Sequence, residues 1–189
     1  MILECGCDEV GIGAGAAEVY VCAVILDPKR PIEGLADSKK LSARKREQLS
    51  AIIKERALCW SVEKASLEEI SRLNVLRATL LVMKRAVESL SIRPDKVLVD
   101  GKYTPDLDLP AEAIIDGDDQ IPVISAASIM AKVSRDRAMV EYHQIYPEYG
   151  FNNHKGYFTP EHLEALSKYG PCPIHRVTYA PVRLLLNFA

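Results

Sequence analysis

Apolar residues open the chain at Met1-Ile2-Leu3 and return from Val19 to Leu26, two runs that read as strands over about 2–8 and 18–26. Gly11, Gly13 and Gly15 form a turn between them, so an antiparallel pair is expected. Asp27 to Lys40 is broken by Pro28, Pro31 and Gly34 and reads as a loop. Ser42 is placed to cap a helix from Ala43 to about Arg56, with Leu49, Ile52 and Ile53 on its apolar face. Cys59 to Ala65 alternates as a third strand. Ser66-Leu67-Glu68-Glu69 is a capping box opening a short helix. Asn74 caps the most regular helix, in which Leu76, Leu80, Met83, Val87 and Leu90 recur at steps of four and three until Pro94 ends the unit.

Lys96 to Val99 is continuously apolar after its first residue, the pattern of a strand covered on both faces. A further short strand is expected at Ala111 to Ile115, then a long helix from about Val123 to Tyr146. The first half of that helix is rich in small residues (Ser125, Ala126, Ala127, Ser128, Ala131), which lets it lie close on a sheet. Thr159-Pro160 starts a helix reaching about Tyr169. Strands first, then helix and strand in alternation, predict an α/β fold with a mixed sheet, antiparallel at the start and parallel later. No linker or repeat interrupts the chain, so 1–189 is expected to be a single domain: a core over about 1–145 and a helical C-terminal part over about 146–189.

Composition is that of an ordinary soluble protein, and no apolar run reaches the ~20 residues of a membrane span. No positive charge precedes the first apolar run, so no signal peptide is expected. The five cysteines form no zinc-type spacing and read as reduced, buried apolar residues, which fits the cytoplasm. The net charge of −2 hides a pattern: residues 1–26 hold four acids and no Lys or Arg, whereas Lys39, Lys40, Arg44, Lys45, Arg46, Lys132, Arg135, Arg137, Lys155, Arg176 and Arg183 lie elsewhere. An acidic centre with basic groups around it suits a metal-dependent enzyme working on a polyanion.

Three places repeat one form, an apolar strand ending in a carboxylate beside glycine: Asp8-Glu9, Asp100-Gly101 and Asp116-Gly117-Asp118-Asp119. Each alone is a common turn. Together, at strand ends of an α/β sheet, they form a set of hard oxygen donors without supporting His or Cys, which favours Mg²⁺ or Mn²⁺ over zinc. Paired ions of that kind serve phosphoryl transfer. Spacing alone leaves Asp116, Asp118 and Asp119 open as the last donor.

Larger motifs follow in order: Asp8-Glu9-Val10-Gly11-x-Gly13, Asp37-Ser38-Lys39-Lys40-Leu41-Ser42, Asn74-x-Leu76-Arg77-Ala78-Thr79, Val99-Asp100-Gly101, Ser125-Ala126-Ala127-Ser128-Ile129-x-Ala131-Lys132-Val133-x-Arg135-Asp136, Tyr149-Gly150-Phe151-x-x-His154-Lys155-Gly156-Tyr157 and Gly170-Pro171-x-Pro173-x-His175-Arg176. The set resembles ribonuclease HII over nearly the whole chain. The resemblance implies a ribonuclease H-like fold, with helices flanking the mixed sheet and a helical C-terminal extension. It implies cleavage of RNA in RNA–DNA hybrids and incision of ribonucleotide-containing duplex DNA 5′ of the ribonucleotide by two metal ions. The ends left would be 5′-phosphate and 3′-hydroxyl, with a role in ribonucleotide excision repair. Its metal-binding and catalytic carboxylates fall on Asp8, Glu9, Asp100 and Asp118.

The resemblance also implies substrate contacts at Gly11, Ile12, Gly13, Lys39, Lys40, Ser125, Ser128, Lys132, Arg135, Lys155 and Tyr157. Lys39 and Lys40 would meet the phosphate backbone, Ser125 and Ser128 would donate toward phosphate from a helix N-terminus, and Lys132 and Arg135 would reach the same strand or brace the site. Tyr157 would stack at the DNA–RNA junction and sense the 2′-hydroxyl. Asp136, His154 and His175 read as structural or backbone-binding. The family usually has Gly-Arg-Gly and then Pro-Leu-Ala-Gly-Pro, where this chain has Gly11-Ile12-Gly13 and Ala14-Gly15-Ala16-Ala17-Glu18. Weaker incision at single ribonucleotides is therefore expected.

The sister ribonuclease HIII usually carries an extra N-terminal domain, for which a carboxylate pair at residue 8 leaves no room. Two rivals are another two-metal nuclease of the same fold, which would not need Tyr157, and a non-catalytic hybrid-binding domain, which would lose a carboxylate. A monomer without membrane association is expected. The apolar end Leu184 to Phe188 reads first as a packed terminus and second as a sliding-clamp contact.

Overall fold

The computed structural model describes residues 2–186. Five strands, β1 (Glu4–Val10), β2 (Val19–Ile25), β3 (Cys59–Ala65), β4 (Lys96–Asp100) and β5 (Ala111–Ile114), form one sheet in the order β3-β2-β1-β4-β5. β2 runs antiparallel to both β1 and β3, while β4 runs parallel to both β1 and β5. The mixed sheet expected from the order of elements is the one observed. One boundary differs. β1 was expected to stop at Asp8, but β2 pairs with it as far as Val10 opposite Tyr20, whereas β4 leaves it after Cys7 opposite Val99. Asp8 and Glu9 are therefore still in extended strand, with one neighbour gone.

The helices are α1 (Ala43–Arg56), α2 (Leu67–Leu73), α3 (Val75–Glu88), α4 (Gly117–Gln120), α5 (Pro122–Ile145), α6 (Phe151–His154), α7 (Pro160–Tyr169) and α8 (Ala180–Leu186). Their starts follow the caps read from the sequence: Ser42, Ser66, Asn74 and Thr159 each accept a hydrogen bond from the backbone three residues on. Residues alternate across β1. Cys5 and Cys7 join Ala78, Val82, Met83 and Ala86 of α3 on one face. The opposite face of the sheet, with Cys22, Val24 and Leu98, packs on Ile124, Ala127, Met130 and Ala131 of α5 and on Leu49 and Ile53 of α1. A third cluster, built on Tyr149, Phe151, Leu166, Ile174 and Val182, ties the C-terminal helices to Ala16, Ala17 and Met139.

The small-residue half of α5 has its reason in β1. A Cβ on Gly6 would lie 2.1 Å from the Val123 carbonyl oxygen, so helix and strand touch backbone to backbone. That contact sets the N-terminal half of α5 beside Asp8. Among the described residues no helix is long and apolar enough to cross a membrane. At the chain's end Val182 is buried while Leu184 and Leu186 are exposed, and Asn187 and Phe188 lie outside the described residues.

Candidate active site

Parallel strands end together, and that places the carboxylates. Asp8 follows the last residue of β1 that pairs with β4, and Asp100 ends β4. After β5 the chain turns through Asp116 in the left-handed region (φ 54°) and enters α4, whose first turn carries Asp118. The Asp118 N–H donates to Asp100 Oδ1 at 3.3 Å. Oxygens of Asp8, Asp100 and Asp118 lie within 4.8 Å of one another. Of the three acids that spacing left open, Asp116 serves as the turn and Asp119 pairs with Lys40 at 2.7 Å, leaving Asp118 to face the others.

Glu9 is placed differently from the expected four-way convergence. Glu9 lies outside the three-carboxylate cluster and also borders a second pocket, lined by Leu76, Thr79 and Leu80 of α3 and by Asp100. Its Oε2 accepts the Ile12 N–H at 3.2 Å, and it still borders the cleft that Asp8 and Asp100 line.

Negative charges this close cannot all persist unaided. Burial, with Asp100 and Glu9 nearby, pushes the Asp8 carboxyl well above the usual carboxylate range. Burial followed by Asp100 and Asp37 raises the pKa of Asp118 as well. Among the described residues Lys39 supplies the one cationic contact to the cluster, 3.6 Å from Asp118 Oδ2. Burial works against the Lys39 ammonium, but Asp118, Asp37, Asp8 and Asp100 outweigh it and hold its pKa above normal. An all-oxygen, mutually repelling, buried donor set is the environment that a divalent cation relieves, so the residues fit such an ion.

The cleft beside these acids, about 140 Å³, is lined by most of the other residues singled out: Gly11, Ile12, Gly13, Lys39, Ser128, Lys132 and Tyr157. Ser128 is buried on the cleft, 2.9 Å from the Ser38 hydroxyl, and its nearness to Asp8 favours the ionised carboxylate. Ser125 is turned away from the cleft, its hydroxyl donating to the Asp118 carbonyl at 2.6 Å. It holds the α4 turn rather than a phosphate. The Lys40 ammonium is engaged by Asp119, and that of Lys155 by the Asn152 carbonyl. Lys132 pairs at 2.8 Å with Asp136, which Arg46 also reaches.

Arg135, expected to reach the strand or brace the site, braces it. The residue is 0% exposed, and its guanidinium donates to the carbonyls of Glu18, Lys155 and Ala16 at 3.1, 2.8 and 2.9 Å. It thus clamps the β1–β2 loop to the segment before Tyr157, whose ring lies 5.6 Å from its Cζ. Two strained non-glycine residues, Ala17 and Lys155 (φ 65° and 54°), sit in the clamped segments. Arg176 and Tyr179, whose roles sequence reasoning missed, hold the same loop: both donate to the Ile12 carbonyl, and Arg176 Nε donates to that of Ala17. The one signal for Arg176 was its place in the last motif.

Tyr157 is fixed through histidines. Carbonyls only accept, so His162 Nδ1 carries the proton it gives to the Tyr157 carbonyl at 2.9 Å. His162 Nε2 then accepts from His175 Nε2 at 3.0 Å, and His175 Nδ1 accepts the Cys172 N–H at 2.9 Å. His154 likewise accepts from Gly156 and donates to the Tyr149 carbonyl. All three rings are neutral and spent on structure. Burial, with His162 beside it, pushes His175 down to about 4. The unfolded chain takes up that proton near pH 6.5 and the folded chain only near 4, so the stability tied to a neutral His175 is complete above pH 6.5 and lost as pH falls toward 4. Urea titrations are expected to show the native protein losing on the order of 1–2 kcal/mol more than His175→Gln between pH 6.5 and 4.5. Parallel pH curves would refute this.

The chain was compared with known proteins. The family model described as Ribonuclease HII matches residues 5–182. A ribonuclease HII of Desulforamulus reducens is 65% identical over 186 residues, covering 98% of this chain and 94% of that protein. The crystal structure of ribonuclease H2 from Pyrococcus horikoshii OT3 superposes with a TM-score of 0.81 at 28% identity, over 98% of this chain and 97% of that one. The RNase HII solved in a PCNA complex from Archaeoglobus fulgidus gives 0.77 at 25% identity, over 95% and 96%. The ribonuclease H-like fold is thereby shown, and the chain belongs to the ribonuclease HII family, metal-dependent endonucleases that hydrolyse phosphodiester bonds.

Proposed function

We propose that this enzyme hydrolyses the RNA strand of RNA–DNA hybrids and incises duplex DNA 5′ of embedded ribonucleotides, leaving 5′-phosphate and 3′-hydroxyl ends. The observation that carries the reading is the buried Asp8–Asp100–Asp118 cluster opening on one cleft with Gly13 and Tyr157. Asp8, Asp100 and Asp118 with Glu9 would hold two divalent cations, Mg²⁺ or Mn²⁺, which would supply neutralising charge for the scissile phosphate and a more acidic water. Ser128 favours the ionised Asp8, and Ser125 holds the turn that presents Asp118. Lys39, exposed beside Asp118 on the cleft, would meet the nucleic-acid backbone. Lys132 lies on the cleft for the same use, with Asp136 steadying it until substrate arrives. The Tyr157 ring, backed by Arg135, stacks at the DNA–RNA junction, and its hydroxyl reads the 2′-OH.

Gly11, Ile12 and Gly13 border the ribonucleotide's place in the cleft, where the Gly13 N–H is the amide left open, since Glu9 takes that of Ile12. Ile12 adds no donor of its own, and its side chain packs toward α3. A single ribonucleotide offers fewer contacts than a run, so it suffers more from that loss. The experiment is cleavage of 5′-labelled duplexes carrying one ribonucleotide or several. Ile12→Arg is expected to raise kcat/KM on the single-ribonucleotide duplex about 5- to 10-fold, the value of one charged hydrogen bond to phosphate, and to change the hybrid little. Equal activity of the two proteins on the single-ribonucleotide duplex would show that Ile12 is no handicap. Cutting of RNA-free duplex would favour another nuclease of this fold.

The proposal includes a monomeric enzyme of the cytoplasm, 1–189 forming one catalytic domain, with 146–189 contributing to substrate binding. Its five free thiols support that compartment. It also includes a sliding-clamp contact at the chain's end, supported by the exposed Leu184 and Leu186 and by the Archaeoglobus fulgidus protein solved with PCNA.

A further inference from the structure

The loop from Gly11 to Ala17 borders the cleft and carries no Lys or Arg. Two guanidiniums lie beneath it instead. Arg135 and Arg176 are 0% and 2% exposed, and among the described residues neither has a carboxylate within ion-pair distance. The Arg176 Nη2 is buried without any hydrogen-bond partner. Buried charge is normally paired, because desolvation without a counter-charge is costly. A pair of unmatched cations beside a cleft is therefore an anomaly that an anionic ligand would remove.

The loop is built to let that charge through. Gly11, at φ +102°, rests directly on Arg135, where a Cβ would come within 2.3 Å of Nε. The Ile12 carbonyl is drawn down by Arg176 Nη1 at 3.0 Å and by the Tyr179 hydroxyl at 2.5 Å. Among the described residues all peptides are trans, and in a trans peptide the next N–H points opposite to the carbonyl. The Gly13 N–H is thus directed away from Arg176. Gly13 is exposed on the cleft, and its N–H has no acceptor among the described residues.

We propose that Arg176, seconded by Arg135, is a positioning residue for substrate: it turns the Gly13 N–H toward a phosphate of the bound strand and supplies, from beneath, the positive charge that the loop's own side chains lack. The inference rests on the nucleic-acid substrate proposed above.

The test is steady-state cleavage of an RNA–DNA hybrid with Mg²⁺ across a salt series, with thermal melts as folding controls. Arg176→Met is expected to raise KM about tenfold, to change kcat less than about threefold, and to make the slope of log(kcat/KM) against log[salt] shallower by up to about one. Arg176→Lys keeps the charge and is expected to keep the native slope. Ile12→Arg, added to Arg176→Met, returns a charge to the loop and is expected to recover most of the KM. A merely structural arginine would leave the slope native and gain nothing from Ile12→Arg. If Arg176→Met does not fold, Tyr179→Phe decides: it removes one donor to Ile12 and leaves the charge, so KM is expected to rise about two- to threefold at native slope. A folded Arg176→Met with native KM and slope, an Arg176→Lys no better than Arg176→Met, or a Tyr179→Phe of native KM overturns the inference. Failure of the unaltered protein to cut the hybrid would instead overturn the substrate reading.

Discussion

Asp8→Asn is expected to lower hybrid cleavage by about 10³-fold or more, the loss typical when a group that stabilises transition-state charge is removed. The substitution keeps the side chain's shape. Asn retains an oxygen for the Glu9 N–H, which Asp8 Oδ1 accepts at 2.7 Å. What it removes is one of three negative charges whose oxygens lie within 4.8 Å. The same change is expected to raise the melting temperature in chelator, since a buried charge that repels two neighbours is gone. Mg²⁺ should stabilise the native protein by RT ln(1 + [Mg²⁺]/Kd) and the variant much less. A variant that still cuts, or that gains as much stability from Mg²⁺ as the native protein, would remove Asp8 from the metal site.

Arg135→Met is expected to be the most damaging substitution for stability, costing about 3–5 kcal/mol. Methionine fills much of the volume but cannot donate. The carbonyls of Ala16, Glu18 and Lys155 would each be left buried without the guanidinium, at about 1–3 kcal/mol for a carbonyl that finds no water. Ala17 and Lys155 would lose the contacts that hold their left-handed backbones. Arg135→Lys is expected to recover less than half, because one ammonium cannot reach three divergent carbonyls. Urea unfolding at constant slope measures the loss, and a shift under about 1 kcal/mol would show that the clamp is dispensable.

The elements were legible because their signals are local. A cap and an apolar period act over a few residues, so Ser42, Ser66, Asn74 and Thr159 and the row from Leu76 to Val87 placed their helices from the sequence alone. Asp8 and Asp100 were visible as carboxylates at strand ends. The choice among Asp116, Asp118 and Asp119 was not legible from spacing, since all three share one turn; the family resemblance alone selected Asp118, and the left-handed entry at Asp116 is what separates them in space. The strand boundary was misread at Glu9 for a similar reason: how far β1 runs depends on its pairing with β2, not on its own residues.

Side chains within one helix illustrate the same limit. Read along α5, Ser125, Ser128, Lys132 and Arg135 are all candidates to meet phosphate. Their partners lie far off in the chain: Ser38 for Ser128, Glu18 and Ala16 for Arg135. Arg176 reaches Ile12 across 164 positions. By itself the sequence determined the α/β class, the elements, the acidic centre and the family resemblance, since periodicity, caps and motifs are written in neighbouring residues. The tertiary structure alone decided which three carboxylates cluster, which serine lines the cleft and which arginines lie under the glycine loop, because those outcomes depend on contacts made only once distant segments have packed.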